Sequence, residues 1–508
     1  MNHHETLVPA MRRVHETFVS HCGSRRDQAA LVDDFRTLTY GELGDAVTAL
    51  EHCLRDAGVR AGDRVLLVAE NCVAAAACTL ALSKLDAWAV TVNARLSPRE
   101  IDDFLAHCGA RRALYFNTVS KEARAHAEQH GAQRVDWPYV GELMLGPLNA
   151  AAVPELGEQD ASQVSTLVYT TGTTGAPKAV MLTHANLLFA AANGRRMGRI
   201  MTGDILYAVV PIAHIYGGTL VIGALLNGAT IRLVPRFNPE SVAKALANEG
   251  ITVMNGAPAM YAKLLEWSER AGTPLRAPSL RIAQVGSAPL TLPLKEAFER
   301  TFGLTLQNGY GMTEASPTIS QTRVDAPRSD CSVGHAISGV EIRLNESNEA
   351  GVGELWARGP GVMKGYYRAP EATAETITPD GWLRTGDLAR VDPDGAIWIV
   401  GRAKDLIIRS GFNVYPIEVE QVLNAFPGVL QSAVVGRAVE GNEEVVAYIE
   451  RAPGSTPDLD ALRAYLGANL SPYKVPSEIV VLDQMPAAAT GKILKKELQL
   501  RAAEKTKG

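Results

Sequence analysis

The chain has 508 residues, which is too long for one compact unit and predicts two or more domains with sizeable cores. Hydrophobic residues make up 46% and charged residues 21%, and these globular proportions exclude a disordered, collagenous or coiled-coil protein. Because 50 Lys and Arg residues are outnumbered by 55 Asp and Glu residues, for a net charge of −5, no basic field favours nucleic acid and a small-molecule partner is expected.

The first elements of the chain predict alternating helices and strands. Thr39 and Glu42 have the spacing of a capping box, four apolar residues from position 43 to 54 lie on one face of the helix that follows, and Gly58 is a natural stop. A strand is expected at residues 64–69, and the alternation continues to about residue 116. This order predicts a layered α/β architecture with a largely parallel sheet.

The cysteine content and the hydropathy of the chain indicate the cellular compartment. The six cysteines include no CxxC pair and no Cys/His cluster, so neither a disulfide framework nor a zinc site is indicated. The N-terminal residues MNHHETLVPAMRR lack the apolar core of a signal peptide. Residues 205–231 carry no charge, but Pro211 and the Gly217–Gly218 pair favour a buried strand, loop and helix over a membrane span. We expect a cytoplasmic protein without a membrane span.

Residues 169–179, YTTGTTGAPKA, are the most informative stretch. An apolar strand-like run, 164–169, precedes them and a helical pattern begins at about His184. Backbone amides of a loop rich in hydroxyl and glycine residues can turn toward an anion, and Lys178 adds positive charge. We therefore predict a phosphate-binding loop made of Thr170, Thr171, Gly172, Thr173, Thr174, Gly175 and Lys178. Ala179 stands where a Walker A loop needs Ser or Thr, so that motif is excluded. The alternative interpretation is a Thr-rich surface turn without a ligand.

The composition changes late in the chain. Short alternating segments at 353–357 and 397–400, with a turn at 393–395, predict a small antiparallel β region. After residue 403, a helix (416–425), two strands (429–435 and 444–450) and a helix (458–469) could fold on their own. We expect an N-terminal domain of residues 1–402 and a C-terminal domain of residues 403–508.

The phosphate loop and six further segments, in this order, resemble the acyl-adenylate-forming superfamily of acyl-CoA synthetases, aryl-CoA ligases, firefly luciferase and nonribosomal adenylation domains. The likeness is closest to free-standing acyl- or aryl-CoA ligases. The segments are PIAHIYG (211–217), GSAPL (286–290), NGYGMTEA (308–315), RTGDL (384–388), GRAKDLI (401–407) with PIEVE (416–420), and TGKIL (490–494).

The resemblance implies an α/β fold: a large multi-layered N-terminal domain with mostly parallel sheets and a small β region, and a small α+β C-terminal domain on a hinge. It also implies the reaction. A carboxylate is a poor electrophile, so the family first joins it to the α-phosphate of ATP, releasing pyrophosphate, and then lets the thiol of coenzyme A attack the acyl-AMP. ATP, Mg²⁺ and CoA are therefore the expected cofactor and co-substrates.

Each role below is what the resemblance implies for this sequence. Lys492 stabilises the charge that builds up during adenylation, with Thr313, Glu314 and His214 as further catalytic residues and Glu314 as the magnesium ligand. The AMP-binding residues are Ser287, Ala288, Pro289, Asn308, Gly309, Tyr310, Asp387 and Arg402. The hinge is Lys404, and CoA meets Ser410, Gly411 and Phe412. The acyl pocket comprises His214, Tyr216, Gly218, Leu220, Gly286, Ser287, Gly309, Met312, Pro317 and Thr318.

Without the resemblance, several of these residues have a purely structural interpretation. The GYG segment suits a buried turn, Asp387 suits a β-turn, and Lys404 and Lys492 suit surface charges. Two rival functions also stay open: a stand-alone adenylation enzyme that loads a carrier protein, and a nucleotide-binding pseudoenzyme. The oligomeric state is open too, with a homodimer as one option.

The acid is expected to be hydrophobic apart from its carboxylate. None of the expected pocket residues is Arg or Lys, so a second carboxylate would be buried without a partner, and dicarboxylates are expected to be disfavoured. Tyr216 in the HIY segment resembles the hydroxycinnamate ligases, which favours an aryl acid of the benzoate or cinnamate type over a medium-chain fatty acid, although the glycines at 217, 218, 286 and 309 would also admit an alkyl chain.

Overall fold

The computed structural model describes residues 11–157, 160–170, 178–197, 199–409, 412–439, 442–452, 454–487 and 493–504. The α-helices are α1 (Val19–Ser24), α2 (Tyr40–Asp56), α3 (Val73–Lys84), α4 (Pro98–Cys108), α5 (Lys121–Gln129), α6 (His184–Arg196), α7 (Ile215–Leu226), α8 (Pro239–Asn248), α9 (Pro258–Ala271), α10 (Leu292–Phe302), α11 (Pro370–Thr376), α12 (Pro416–Asn424), α13 (Leu459–Asn469) and α14 (Lys495–Glu504). Short 3₁₀ helices lie at Val14–Phe18, Thr313–Ala315 and Ala403–Asp405.

The strands are β1 (Ala29–Val32), β2 (Thr37–Thr39), β3 (Arg64–Ala69), β4 (Trp88–Asn93), β5 (Arg112–Tyr115), β6 (Gln133–Trp137), β7 (Gly141–Leu145), β8 (Val164–Thr170), β9 (Lys178–Thr183), β10 (Ile205–Ala208), β11 (Thr230–Leu233), β12 (Val253–Gly256), β13 (Ile282–Val285), β14 (Leu306–Gly311), β15 (Thr318–Gln321), β16 (His335–Ala336), β17 (Glu341–Asn345), β18 (Gly353–Arg358), β19 (Gly365–Tyr366), β20 (Leu383–Val391), β21 (Ile397–Arg402), β22 (Ile407–Arg409), β23 (Phe412–Val414), β24 (Val429–Val439), β25 (Asn442–Arg451) and β26 (Glu478–Leu482).

Local sequence signals set many of these boundaries. The Thr39 side chain accepts a hydrogen bond from the Glu42 amide at the start of α2, and the Glu42 side chain returns a bond to Thr39, so the predicted capping box is confirmed. The strand predicted at residues 64–69 is β3, which is buried along its whole length. The uncharged stretch from residue 205 folds as β10, α7 and β11, as expected.

Two large sheets form the body of the protein. The first has the order β16-β15-β14-β13-β12-β10-β11-β1-β2 and is parallel from β14 to β1. The second has the order β19-β9-β8-β4-β3-β5-β7-β6 and is parallel from β8 to β5. Parallel strands need crossover connections, and helices supply them here.

The largest hydrophobic core lies between these two sheets. It contains side chains of α2, α3, α6 and α7 together with inward-facing residues of β1, β3 and β11. Smaller cores cover the outer faces, with α8, α9 and α10 on the first sheet and α4 and α5 on the second. The result is five alternating layers of helix and sheet.

Two smaller sheets complete the chain. The antiparallel sheet β17-β18-β20-β21 is formed by strands between Glu341 and Arg402, and it confirms the predicted β region. The last part of the chain forms the hairpin β22-β23 and the sheet β24-β25-β26, packed by α12, α13 and α14. Within the described ranges, no helix has both the length and the apolar character needed to cross a membrane.

Candidate active site

The segment from Asn308 to Thr318 forms a tight antiparallel hairpin at the end of β14. Gly311 pairs with Thr318 across the ladder, and the Met312 amide donates to the Pro317 carbonyl oxygen at 2.8 Å. A Cβ at Gly311 would collide with that same carbonyl oxygen, so this position requires glycine. The hairpin therefore brings together Met312, Pro317 and Thr318, three of the residues expected in the acyl pocket, with Thr313 and Glu314 at its turn.

Glu314 is a buried carboxylate with one oxygen engaged and one available. Its exposed fraction is 8%, and its Oε1 accepts a hydrogen bond of 2.8 Å from the Tyr366 hydroxyl. Burial, reinforced by the Glu314 charge, raises the pKa of Tyr366, so the phenol stays protonated as the donor. Oε2 accepts no hydrogen bond from the described residues, which leaves it free for a ligand.

Tyr366 also links Glu314 to the phosphate loop. The Lys178 ammonium nitrogen lies 4.8 Å from the centroid of the Tyr366 ring, a cation–π distance. Tyr366 reaches this place because β19 pairs with β9, with Tyr366 opposite Val180. Sequence reasoning missed Tyr366, because nothing in the local pattern distinguishes it from the neighbouring Tyr367.

The phosphate loop connects two strands. Thr170 and Lys178 are paired across the antiparallel β8–β9 ladder, so both ends of the loop are held by one hairpin. The helix expected from about His184 is confirmed as α6, which begins at His184 with Thr183 as its N-cap, and strand β9 lies between it and the loop. Thr171, Gly172, Thr173, Thr174 and Gly175 lie outside the described residues.

We expect Tyr366→Phe to raise KM for ATP about fivefold, because one hydrogen bond worth ~1 kcal/mol is lost. The aromatic ring that contacts the Lys178 ammonium group is kept in this variant. Tyr366→Leu should raise it roughly fivefold further, because the cation–π contact is also lost. Pyrophosphate exchange at saturating acid and Mg²⁺ measures both values. The matched control is Tyr367→Phe, which removes a hydroxyl bonded to Glu155 instead. An equal increase in KM for ATP in the Phe and Leu variants would contradict this account.

Asp387 and Arg402 form an ion pair where β20 and β21 run side by side. The two residues are paired in the ladder, and Arg402 Nε lies 2.9 Å from Asp387 Oδ1. The Tyr310 hydroxyl donates to Asp387 Oδ2 at 2.5 Å. Burial lowers the pKa of Arg402, but Asp387, Tyr310 and Asp405 together outweigh this effect and the pKa is raised. The sequence predicted these three residues together, and the structure places them in contact.

The expected adenine-binding residues lie at the carboxyl ends of β13 and β14. Ser287 has a φ of 69° and, with Pro289, is exposed, whereas Ala288 is half-buried. Asn308 is buried, and its side chain donates to the carbonyl oxygens of Cys331 and Ser332 at 3.1 Å each. Both amide hydrogens of Asn308 are thus used within the protein, which makes it a residue that positions the loop.

The remaining pocket residues surround the N-terminus of α7. His214 is the N-cap, and its Nδ1 accepts from the Tyr216 amide at 3.2 Å. A Cβ at Gly286 would lie 3.4 Å from the Tyr216 ring, so Gly286 and the ring are in close contact. Gly286 also lies near Gly309 on the adjacent strand. Gly218 and Leu220 follow on α7, and Leu220 packs into the main core.

The expected hinge and CoA residues lie at the start of the last part of the chain. Lys404 is exposed in the 3₁₀ turn Ala403–Asp405 that follows β21. Phe412 is 55% exposed and stacks on Tyr473, with ring centroids 4.7 Å apart. Ser410, Gly411 and Lys492 lie outside the described residues.

The donor set at this site fits a phosphate-bound magnesium ion. No cluster of three or more His, Cys, Asp or Glu side chains able to hold a metal occurs in the described part of the chain. Glu314 instead offers a single free carboxylate oxygen. Mg²⁺ typically takes one or two carboxylates and fills its shell with substrate phosphates and water, and this site meets that requirement.

Comparison with known proteins gives a consistent picture. Residues 18–367 match the AMP-binding enzyme family, and residues 418–492 match the AMP-binding enzyme C-terminal domain. A feruloyl-CoA synthase from Amycolatopsis sp is 36% identical over 91% of this chain and 94% of its own length. The o-succinylbenzoate coenzyme A synthetase from Bacillus subtilis, solved in complex with ATP and magnesium, has a TM-score of 0.81 at 28% identity over 96% of this chain and 99% of its own. A benzoate CoA ligase from Burkholderia xenovorans LB400 has a TM-score of 0.82 at 26% identity over 96% of this chain and all of its own.

Proposed function

Because the chain belongs to the AMP-binding enzyme family, we propose that it activates an aryl carboxylic acid of the benzoate or cinnamate type. The chain is an AMP-forming acid:CoA ligase that uses ATP, Mg²⁺ and CoA and works through an acyl-AMP intermediate. The expectation of CoA as the acceptor is confirmed in preference to loading of a carrier protein.

The contact between Tyr216 and Gly286 carries the proposal of an aryl acid. Gly286 lies against the Tyr216 ring and Gly309 lies near Gly286 on the adjacent strand, so neither position adds a side chain beside the ring. An aromatic ring bound beside Tyr216 gains stacking or edge contacts worth about 0.5–1.5 kcal/mol beyond its buried area. A flexible alkyl chain gains no such contact and loses rotamer freedom on binding.

The first half-reaction follows from the polar groups around Glu314. A carboxylate oxygen of the acid attacks the α-phosphorus of ATP, the acyl–phosphate bond forms, and pyrophosphate leaves. We assign Glu314 Oε2 to Mg²⁺, which when bound neutralises phosphate charge, and Lys178 to the departing phosphates. Thr313 lies beside Glu314 and is assigned to the α-phosphate, with Lys492 supplying charge at the reacting oxygens.

Asp387 is assigned to the ribose. Each of its oxygens already accepts one hydrogen bond, from Arg402 or from Tyr310. A carboxylate oxygen has two lone pairs, so each can accept one more bond from a ribose hydroxyl. Arg402 and Tyr310 therefore hold the carboxylate in place, and the face of the Tyr310 ring is assigned to the adenine. In the second half-reaction the CoA sulfur attacks the acyl carbonyl carbon and AMP leaves.

A panel of acids tests the substrate class. AMP release is measured with ATP, Mg²⁺ and CoA for benzoate, cinnamate, hexanoate and octanoate. We expect the highest kcat/KM with an aryl acid. A higher kcat/KM for octanoate than for either aryl acid would show that the pocket is built for alkyl chains and overturn the proposal.

The domain boundary near residue 403 is supported by the cores. In the described ranges, each hydrophobic cluster of the body ends at or before Ile399, and the two clusters of the last part begin at Ile407 and Ala433. We propose that residues 403–508 form a mobile domain that turns about Lys404 between the two half-reactions.

Six free thiols support a reducing, cytoplasmic location. Light scattering would test whether the enzyme is a homodimer.

We expect Lys404→Pro to lower acyl-CoA formation by roughly an order of magnitude while pyrophosphate exchange persists, because proline fixes φ near −65° and hinders rotation at the hinge. Lys404→Ala is the control, since it removes the charge and leaves the backbone free. If the proline variant keeps both rates at wild-type values, the chain turns elsewhere.

A further inference from the structure

Arg199 is a buried arginine that none of the roles above uses. It follows α6 and is only 4% exposed. Its guanidinium donates to two neutral acceptors, the Gln284 side-chain oxygen and the Thr322 carbonyl oxygen. Its Nε is buried and has no hydrogen-bond partner among the residues the structure describes.

The surroundings of Arg199 leave its charge uncompensated. Burial lowers the pKa of Arg199 to about 10, so it stays protonated near neutral pH, and the ionisable side chain that opposes this effect is the Tyr216 phenol and not a carboxylate. A buried cation without an anionic partner costs stability.

Arg64, the other fully enclosed arginine of the body, shows the contrast. It donates to the carbonyl oxygens of Cys108, Gly62 and Val153 at 2.8–3.1 Å, and Glu155 lies 3.9 Å from its Nη1. The guanidinium of Arg64 is thus fully supported by its own chain, as a structural arginine requires. Arg199 lacks that support.

Arg199 lies directly behind the acyl pocket. The Gln284 amide that binds it stands beside Gly309, since a Cβ at Gly309 would lie 3.3 Å from Gln284 Nε2. Asn255 Nδ2 contacts both the Tyr216 hydroxyl at 3.0 Å and Gln284 Oε1 at 3.4 Å. Arg199, Gln284, Asn255 and Tyr216 thus form one polar cluster on the far side of the pocket glycines.

We propose that Arg199 is a specificity residue, and that this polar cluster binds an oxygen acceptor at the far end of the acid, either a phenolic hydroxyl or a second carboxylate. The inference rests on the proposed aryl-acid function. An incoming oxygen takes the Nε–H of Arg199 or displaces the Gln284 oxygen from Nη1. An acid without such an oxygen forms no hydrogen bond with the cluster and gains no binding energy from it. Dicarboxylates are disfavoured by the pocket lining alone, and Arg199 lies just outside that lining.

Two matched series of acids test the proposal: benzoate, 4-hydroxybenzoate and terephthalate, and cinnamate with its 4-hydroxy and 4-carboxy derivatives. The readout is kcat/KM for AMP release by the wild type, Arg199→Met, Arg199→Lys and Arg195→Met. Arg195 is the control, because it is an exposed arginine on the last turn of α6. Thermal unfolding of each variant reports its folding.

We expect at least one oxygen-bearing acid to exceed its unsubstituted parent by about tenfold or more in the wild type, the worth of a hydrogen bond to a charged group. Arg199→Met should abolish that ratio while keeping activity on the parent acid, Arg199→Lys should restore part of it, and Arg195→Met should leave it unchanged. A larger gain for the 4-carboxy acids identifies a carboxylate as the ligand, and a larger gain for the 4-hydroxy acids identifies a phenol.

Two results would overturn the proposal. One is a wild type that shows no preference for any oxygen-bearing acid. The other is an Arg199→Met variant that keeps the ratio, or loses all activities in proportion, as a purely structural arginine would. In both cases activity on benzoate or cinnamate shows that the proposed function itself still stands, whereas failure of every aryl acid in the wild type would refute that function first.

Discussion

Replacing Lys492 by alanine is expected to slow acyl-AMP formation by about 100- to 1,000-fold, the usual effect of removing one group that stabilises transition-state charge. The CoA reaction of supplied acyl-AMP should keep its rate, because negative charge on the α-phosphate no longer builds up from attack by the acid. Pyrophosphate exchange measures the first half-reaction, and thioester formation from synthetic acyl-AMP measures the second.

The neighbouring Lys496 provides the control for this experiment. Lys496 is exposed on α14, so Lys496→Ala removes the same charge from the same part of the chain and should leave both half-reactions unchanged. If Lys492→Ala slows both half-reactions equally, the assignment of Lys492 to adenylation is wrong.

Asp387→Ala is expected to lower kcat/KM for ATP by about 100-fold or more, because two charge-assisted hydrogen bonds of roughly 1.5–3 kcal/mol each are lost with the ribose hydroxyls. The change also leaves Arg402 and Tyr310 without their acceptor. KM for the acid should move little, because Asp387, which contacts Arg402 and Tyr310, is assigned to the ribose and not to the acid. Pyrophosphate exchange with varied ATP measures the effect.

Two further variants separate binding from folding at Asp387. Asp387→Asn keeps the volume and one acceptor oxygen and should fall between the wild type and the alanine variant. Asp392→Ala removes another hydrogen-bonded carboxylate, directly after β20, which accepts from Trp398 Nε1 at 2.7 Å, and should leave KM for ATP unchanged. A change of less than about threefold in Asp387→Ala, in a folded protein, would remove Asp387 from the nucleotide site.

The chain order of local elements follows from the sequence because its signals are local. The capping box of α2, the apolar run of β3 and the helix predicted at 416–425, which the structure has as α12, depend on residues within one or two turns of each other. The hairpin residues Gly309 to Thr318 come together for the same reason. The helix expected from about His184 is α6 for the same reason, whereas strand β9 before it is held in place by its pairing with β8 and β19.

The partners of the site residues depend on tertiary structure alone. Tyr366 lies 52 positions from Glu314, and Arg199 lies 85 positions from Gln284. Such contacts are fixed by which strands become neighbours in a sheet, since strand pairing and burial across the whole body decide them and no local pattern encodes them. The sequence by itself therefore determined the reaction class, through its family motifs, and proposed the residues of the reacting centre. The tertiary structure decided which side chain joins Glu314 to Lys178 and where a buried cation stands against the acyl pocket, because sheet pairing brings distant segments to one place.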